Sequence, residues 1–211
     1  MAEHPGLHLE QALWENGLLK VCGVDEAGRG AWAGPLTAGA VVLPDDAHLQ
    51  HRLAGVRDSK QMTPRQRERW AVEIKTLAVA WAVGEASAAE IDDIGILPAN
   101  RLAMVRAIQG LSVTPDYYLF DFIHWKTCPY PGPRLVKGET QSLSIAAASV
   151  LAKTSRDAVM RALDEEYPGY AFGQHKGYGT SLHRAAIQKL GLAPIHRQSF
   201  KIQPENKRAD L

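Results

Sequence analysis

The pattern of apolar and polar positions divides the chain into short strands and longer amphipathic stretches. Leu7 to Leu19 carries Leu7, Leu13, Trp14 and Leu18 as the apolar residues of a short helix, with Gly17 blurring its end. Lys20 to Asp25 (KVCGVD) and Leu36 to Leu43 (LTAGAVVL) are apolar runs bounded by glycine and proline, and predict two strands joined as a hairpin. Asp45 to Thr63 is polar and turn-rich. Thr63 before Pro64 marks a helix start, a capping hydroxyl followed by the proline that a first turn tolerates, and this helix runs to about Lys75. Leu77 to Glu85 (LAVAWAVGE) predicts a third strand, apolar enough for a central place in a sheet. Ser87 to Gly95 predicts one helical turn, and Leu102, Val105 and Ile108 put a helix over Pro98 to Leu111. Tyr117 to Phe120 is a short strand ending on Asp121, and Leu135 and Val136 form a brief one before Gly138.

Ser142 to Glu165 is the longest predicted helix. Its first half, SLSIAAASVLA, offers a surface of small residues that lets a helix lie close to a sheet. Tyr167 to Tyr178 reads as a loop rich in glycine and aromatics, and Ser181 to Leu190 as a helix closed by Gly191. The polar tail beyond Phe200 is expected to fray. These elements imply a mixed α/β layer fold. No repeat or linker splits the chain, so one domain is expected over 1–211: a core of about 20–165, a C-terminal helical portion of about 166–200 and a frayed tail over 201–211.

Composition narrows the class. With 211 residues, 45% apolar and 22% charged, the chain is neither disordered nor low in complexity. Lys plus Arg number 24 against 23 Asp plus Glu, a formal charge of +1, so any basic surface has to be sought locally. Cys22 and Cys128, the only two cysteines, make neither a disulfide framework nor a zinc cluster, and a reducing, cytoplasmic setting is expected. Cys22, inside an apolar strand, reads as core. The first 17 residues carry three glutamates and no apolar centre, unlike a signal peptide, and no apolar run approaches 18 residues, so no membrane span is expected.

Candidate chemistry lies in the carboxylates. Asp25 and Glu26 close one apolar strand, Asp121 closes another, and Glu139 just precedes the long helix. Strand ends that face a crevice are where α/β folds place ligands, and a hard cation such as Mg²⁺ takes carboxylate oxygens. Asp and Glu are also ordinary residues of turns and helix starts, so both readings stand at this point. Gly28-Arg29-Gly30 follows directly. It leaves backbone N–H groups open to a close ligand or simply makes a tight turn; it is no dinucleotide fingerprint, because a strand follows. Arg52 to Arg69 holds six basic and two acidic residues, either a phosphate-facing segment or a solvated helix face. His175-Lys176-Gly177-Tyr178 sets a cation and an aromatic together, a combination that suits nucleic acid. His183 reads as a surface residue of its helix, and His196 and Arg197 as anchors of the tail.

The segments GVDEAGRGAWAGP (Gly23 to Pro35), DSK (Asp58 to Lys60), the strand ending at Asp121, VKGETQSLSIAAASVLAKTSRD (Val136 to Asp157), YPGYAFGQHKGYGT (Tyr167 to Thr180) and HR-SF (His196 to Phe200) occur in an order and spacing that resemble the bacterial type 2 ribonuclease H family, ribonuclease HII. The resemblance covers about Lys20 to Phe200. It implies a ribonuclease H-like mixed sheet of about five strands flanked by helices, with a C-terminal helical portion. It implies metal-dependent cleavage of RNA in RNA/DNA hybrids and incision 5′ of single ribonucleotides embedded in duplex DNA, leaving 3′-hydroxyl and 5′-phosphate ends. Two divalent cations, Mg²⁺ or Mn²⁺, are implied at Asp25, Glu26, Asp121 and Glu139, with Asp25 as the bridge. The family pattern has Asp where this chain has Glu139. The resemblance implies that Gly28, Arg29 and Gly30 read the ribonucleotide 2′-hydroxyl and that Tyr178 stacks on the following deoxyribose. Lys60 and Lys176 are candidate phosphate contacts. A monomer is expected, and a sliding clamp stands as a possible partner that the sequence itself does not support.

Overall fold

A computed structural model of the chain describes residues 4–46 and 48–202. The strands are β1 (Val21–Ala27), β2 (Leu36–Val42), β3 (Ala80–Ala86), β4 (Tyr117–Asp121) and β5 (Arg134–Leu135). The helices are α1 (His8–Glu15), α2 (Leu49–Arg52), α3 (Pro64–Leu77), α4 (Ala88–Ile94), α5 (Ile96–Gln109), α6 (Leu143–Glu166), α7 (Phe172–His175) and α8 (Ser181–Leu190), with single 3₁₀ turns at Ser59–Gln61 and Gly138–Thr140. The five strands form one mixed sheet in the order β3-β2-β1-β4-β5. β1 pairs antiparallel with β2 as the predicted hairpin, and parallel with β4.

Side chains alternate across β1, and each face has its own core. Val21 joins Leu119, Leu143, Ile145 and Val150 beneath α6, where α1 and α3 also pack. Cys22 and Val24 join Phe120, Met104 and Ile108 beneath α5. The small residues of α6 let it lie directly on the sheet. A Cβ at Gly23 would stand 2.1 Å from the Ser144 carbonyl carbon, so only glycine permits this approach. A third apolar cluster, built on Met160, Tyr170 and Phe172, holds the C-terminal helices against the far half of α6.

Four expectations are revised. Ala80–Ala86 is an edge strand, not a central one. Its apolarity comes largely from alanines, which cost little on an edge, and the half-exposed Trp81 is covered by the Lys75 ammonium 4.4 Å from the ring centre. The segment after Ser87 makes nearly two turns, because Ser87 and Glu90 form a reciprocal capping box. The polar stretch 45–63 contributes Leu49, Leu53, Val56 and Met62 to the core through α2 and the 3₁₀ turn. The glycine-rich loop contains α7. The predicted fraying of the tail falls, from residue 203 on, outside the described residues. Among the described residues no helix is long and apolar enough to cross a membrane.

Candidate active site

Parallel pairing of β1 and β4 aligns Val24 with Phe120, so Asp25 and Asp121 leave neighbouring strands at the same end of the sheet. Strand alternation sends Asp25 toward α6, where Ser149 lies beside it, and Glu26 toward α5, where Asn100 lies beside it. Asp25 Oδ1 accepts from the Glu26 backbone N–H at 2.7 Å. Asp121 Oδ1 accepts from Gly138 N–H at 2.8 Å, which seats the 138–140 turn on the end of β4. That turn brings the Glu139 carboxyl within hydrogen-bonding reach of Asp121. The structure therefore gathers all four sequence-predicted carboxylates at one strand end.

Their electrostatics are unfavourable without a counter-charge. Burial, then repulsion from Glu26 and Asp121, pushes the Asp25 carboxyl well above the ordinary range. Burial also raises Glu26, against the lowering effect of the Asn100 amide, and Asp121 repels it further. Glu139 is raised by burial and by Asp121. Burial lowers the Lys60 ammonium, but Asp58, Asp25, Glu139 and Asp121 outweigh it and raise it. Arg29 reaches Glu26 only at 3.9 Å. One buried oxygen of Glu26 and one of Glu139 have no hydrogen-bond partner. Such a set, all hard oxygen donors with unpaired buried atoms, fits a hard divalent cation. Among the described residues no three His, Cys, Asp or Glu side chains stand close enough together, as placed, to hold a metal ion. A cation here would take its remaining ligands from water and from phosphate oxygens.

Beside the carboxylates opens a cleft of about 360 Å³ lined by Glu26, Asp121, the Gly28–Gly30 turn, Lys60 and Tyr178. Gly28 has φ +93°, and its missing side chain leaves room for the Arg156 guanidinium; Gly30 faces open space. The fully buried Arg156 donates to the carbonyls of Pro35, Ala33 and Lys176, and its guanidinium lies 5.4 Å from the centre of the Tyr178 ring. The equally buried Arg197 donates to the carbonyls of Gly34 and Arg29. Arg197 thus holds the glycine turn, not merely the tail.

Lys176 is not brought into the cleft. Its backbone is left-handed, and its ammonium donates to the Gly173 carbonyl beside Asp157 and Asp164. Lys153 lines the cleft instead, tied to Asp157 Oδ1 at 2.6 Å and 5.8 Å from the Tyr178 ring centre. Sequence reasoning passed over Lys153, although an Asp four residues later on a helix is a visible partner. It also passed over Phe122, a half-exposed aromatic directly after Asp121 that lines the cleft. His183 is fully buried, not a surface residue: it stacks on His175 at 4.2 Å between ring centres, while Trp32 packs at 5.7 Å.

A five-stranded mixed sheet flanked by helices, with carboxylates at the ends of two adjacent parallel strands, defines a ribonuclease H-like fold. The sequence profile of the family Ribonuclease HII matches residues 22–203. The ribonuclease HII of Nitrosococcus oceani is 52% identical over 182 residues, covering 86% of this chain and 89% of that protein. The crystal structure of ribonuclease H2 from Pyrococcus horikoshii OT3 superposes with a TM-score of 0.70 at 27% identity, over 87% of this chain and 94% of that one. The structure of Bst-RNase HIII in complex with Mn²⁺ shares the fold, with a TM-score of 0.66 at 20% identity over 88% and 68% of the two chains. The chain belongs to the Ribonuclease HII family and is a type 2 ribonuclease H, a hydrolase.

Proposed function

We propose that the protein cleaves the RNA strand of RNA/DNA hybrids and incises 5′ of single ribonucleotides embedded in duplex DNA, with two divalent cations, Mg²⁺ or Mn²⁺, held by Asp25, Glu26, Asp121 and Glu139. One observation carries this reading: Glu26, Asp121, the Gly28–Gly30 turn and the Tyr178 ring line a single cleft, with Asp25 and Glu139 close beside Asp121. When bound, the cations supply activation of a water nucleophile and neutralisation of charge on the leaving 3′ oxygen.

The chain's own residues do the rest. Asp25, buried beside Glu26 and Asp121, would hold the cations together with them. The exposed Gly30 backbone can be approached closely by a ribose and read the 2′-hydroxyl that separates RNA from DNA. Tyr178 offers an aromatic face to the next sugar, with the Lys153 ammonium and the Arg156 guanidinium 5.8 and 5.4 Å from its ring centre. Arg29 and Lys60 supply positive charge to the phosphates at the cleft rim. Hydrolysis in this frame leaves 3′-hydroxyl and 5′-phosphate ends.

The test is cleavage of a duplex with one embedded ribonucleotide, mapped to nucleotide resolution in Mg²⁺ and in Mn²⁺ beside an all-DNA duplex. Incision 5′ of the ribonucleotide with an untouched all-DNA duplex is expected. Cleavage of both duplexes alike would make the protein a general nuclease.

A further inference from the structure

We infer that the N-terminal helix is a working part of the cleft, and that Glu10 is a positioning residue for Asp121 and Glu139; this rests on the role proposed above for those two carboxylates. Glu10 lies on α1, upstream of the family match at 22–203, and its side chain is fully buried. Its Oε1 accepts from Ser142 Oγ at 2.6 Å and from Ser144 N–H at 2.9 Å. Nearby, the Gly6 carbonyl accepts from Leu143 N–H at 3.0 Å. The N-terminal segment therefore binds two of the first free N–H groups of the 24-residue α6, while the Ser142 hydroxyl that Glu10 holds caps a third at Ile145.

The hydrogen bonds continue into the site. Ser142 N–H donates to the Gly138 carbonyl at 2.9 Å, and Gly138 N–H donates to Asp121 Oδ1 at 2.8 Å. Glu139 stands between these two bonded residues. A run of hydrogen bonds thus leads from a carboxylate outside the family match, through Ser142 and Gly138, to the end of β4.

Packing alone does not account for Glu10. Leu7 and Trp14 already anchor α1 in the core under α6. A buried carboxylate is costly unless its oxygens are used, and here Oε2 has no partner while Oε1 carries both bonds. The used oxygen faces the start of a long helix, where negative charge is favoured. This arrangement fixes the turn that carries Glu139, the one carboxylate of the four that no strand holds.

The experiment compares the full-length parent with Glu10→Ala, Glu10→Gln and, as a packing control, Leu7→Ala. Three readouts are taken: Mn²⁺ binding by calorimetry without substrate, amide exchange at Gly138 and Ser142, and kcat against KM on the embedded-ribonucleotide duplex. Glu10→Ala is expected to weaken Mn²⁺ binding by about tenfold, the usual cost of losing a group that orients a ligand. It should speed exchange at Gly138 and lower kcat with KM unchanged. Glu10→Gln should fall between it and the parent, and Leu7→Ala should lose stability without moving the Mn²⁺ affinity. If Glu10→Ala does not fold, Ser142→Ala, which deletes the hydroxyl link together with its cap at Ile145, carries the same expectation. Mn²⁺ affinity and Gly138 exchange within twofold of the parent, or an equal shift in Leu7→Ala, would overturn the inference. A parent that binds Mn²⁺ but leaves the duplex intact would defeat the proposed function, while exchange at Gly138 would still decide the role of Glu10.

Discussion

His183 Nε2 lies 3.1 Å from His196 Nε2, and their other contacts fix which ring donates. His183 Nδ1 faces the Tyr178 carbonyl at 3.0 Å and must carry its hydrogen there, so its Nε2 accepts. His196 Nε2 then donates, and its Nδ1 accepts from Ala193 N–H at 2.8 Å. His175 donates from Nε2 to the Tyr170 carbonyl and accepts at Nδ1 from Gly177 N–H. In this pattern each ring carries one hydrogen; His196 Nδ1, which accepts from Ala193 N–H, also lies 3.1 Å from the Ala193 carbonyl. Burial lowers all three, His183 to about 4 with added repulsion from His175. Because the folded values lie below the ordinary 6.5, the unfolded chain binds more protons below that pH, so this stabilisation is complete above pH 6.5 and fades as pH falls toward 4. The parent should melt well above His183→Leu at pH 7.5, and the gap should narrow at pH 5. A constant gap in melting temperature would show the rings are not held neutral.

Asp25→Asn should cost at least ~10³-fold in turnover, the scale of losing a key electrostatic group. It should also raise the melting temperature in a chelator, since it removes a buried charge repelled by Glu26 and Asp121. Saturating Mn²⁺ should stabilise the parent more than the variant. Melting curves with and without Mn²⁺, beside single-turnover rates, check all three; less than tenfold loss of rate would remove Asp25 from the metal site.

The two glycines of the GRG turn should separate folding from recognition. A Cβ at Gly28 would lie 2.0 Å from Arg156 Nε at φ +93°, so Gly28→Ala should cost roughly 1–3 kcal/mol of stability. Gly30→Ala meets no atom within 4 Å and should melt like the parent, yet cleave the embedded-ribonucleotide duplex poorly because the backbone is no longer open. Denaturant unfolding and cleavage rates on both variants test this; a fully active Gly30→Ala would free the turn from substrate contact.

Tyr178→Phe should be mild and Tyr178→Ala severe, because the ring face makes the stacking contact, worth roughly 1–3 kcal/mol. The Ala defect should be largest on the single-ribonucleotide duplex. Equal defects for the two variants would assign the work to the hydroxyl.

Glu139→Gln should harm single-turnover cleavage more than Glu139→Asp, since the amide removes the charge and the shorter acid only moves it. The ratio of the Mn²⁺ rate to the Mg²⁺ rate should be higher in the parent than in Glu139→Asp, because Mg²⁺ demands near-ideal octahedral geometry. Full activity of Glu139→Gln in both metals would leave Glu139 as a helix-start residue.

The hairpin of β1 and β2, the cap at Thr63 and the small-residue face of α6 were all legible in the sequence, because each depends on neighbours within a few positions. The order of the strands was not: LAVAWAVGE is equally apolar at an edge or a centre, and pairing decides which. The carboxylates were legible as strand ends, but their gathering needed the parallel alignment of Val24 with Phe120, far apart in the sequence. The histidine cluster was hidden for the same reason. Apolar spacing marks which face of a helix is buried, and a lone His183 on α8 does not announce His175 and His196 folding back on it.

Asp25 and Asp121 ride on adjacent strands, so their separation follows from a backbone repeat that no single side chain can adjust. Glu139 rides on one 3₁₀ turn held at its two ends. The site is therefore half rail and half hinge. Variation that lengthens or shortens an acid is resisted on the rail, and Glu139, where the resemblance implies Asp, sits on the turn. On the role proposed for Glu139, engineering of metal preference has its handle at that turn and at the N-terminal helix bonded to it.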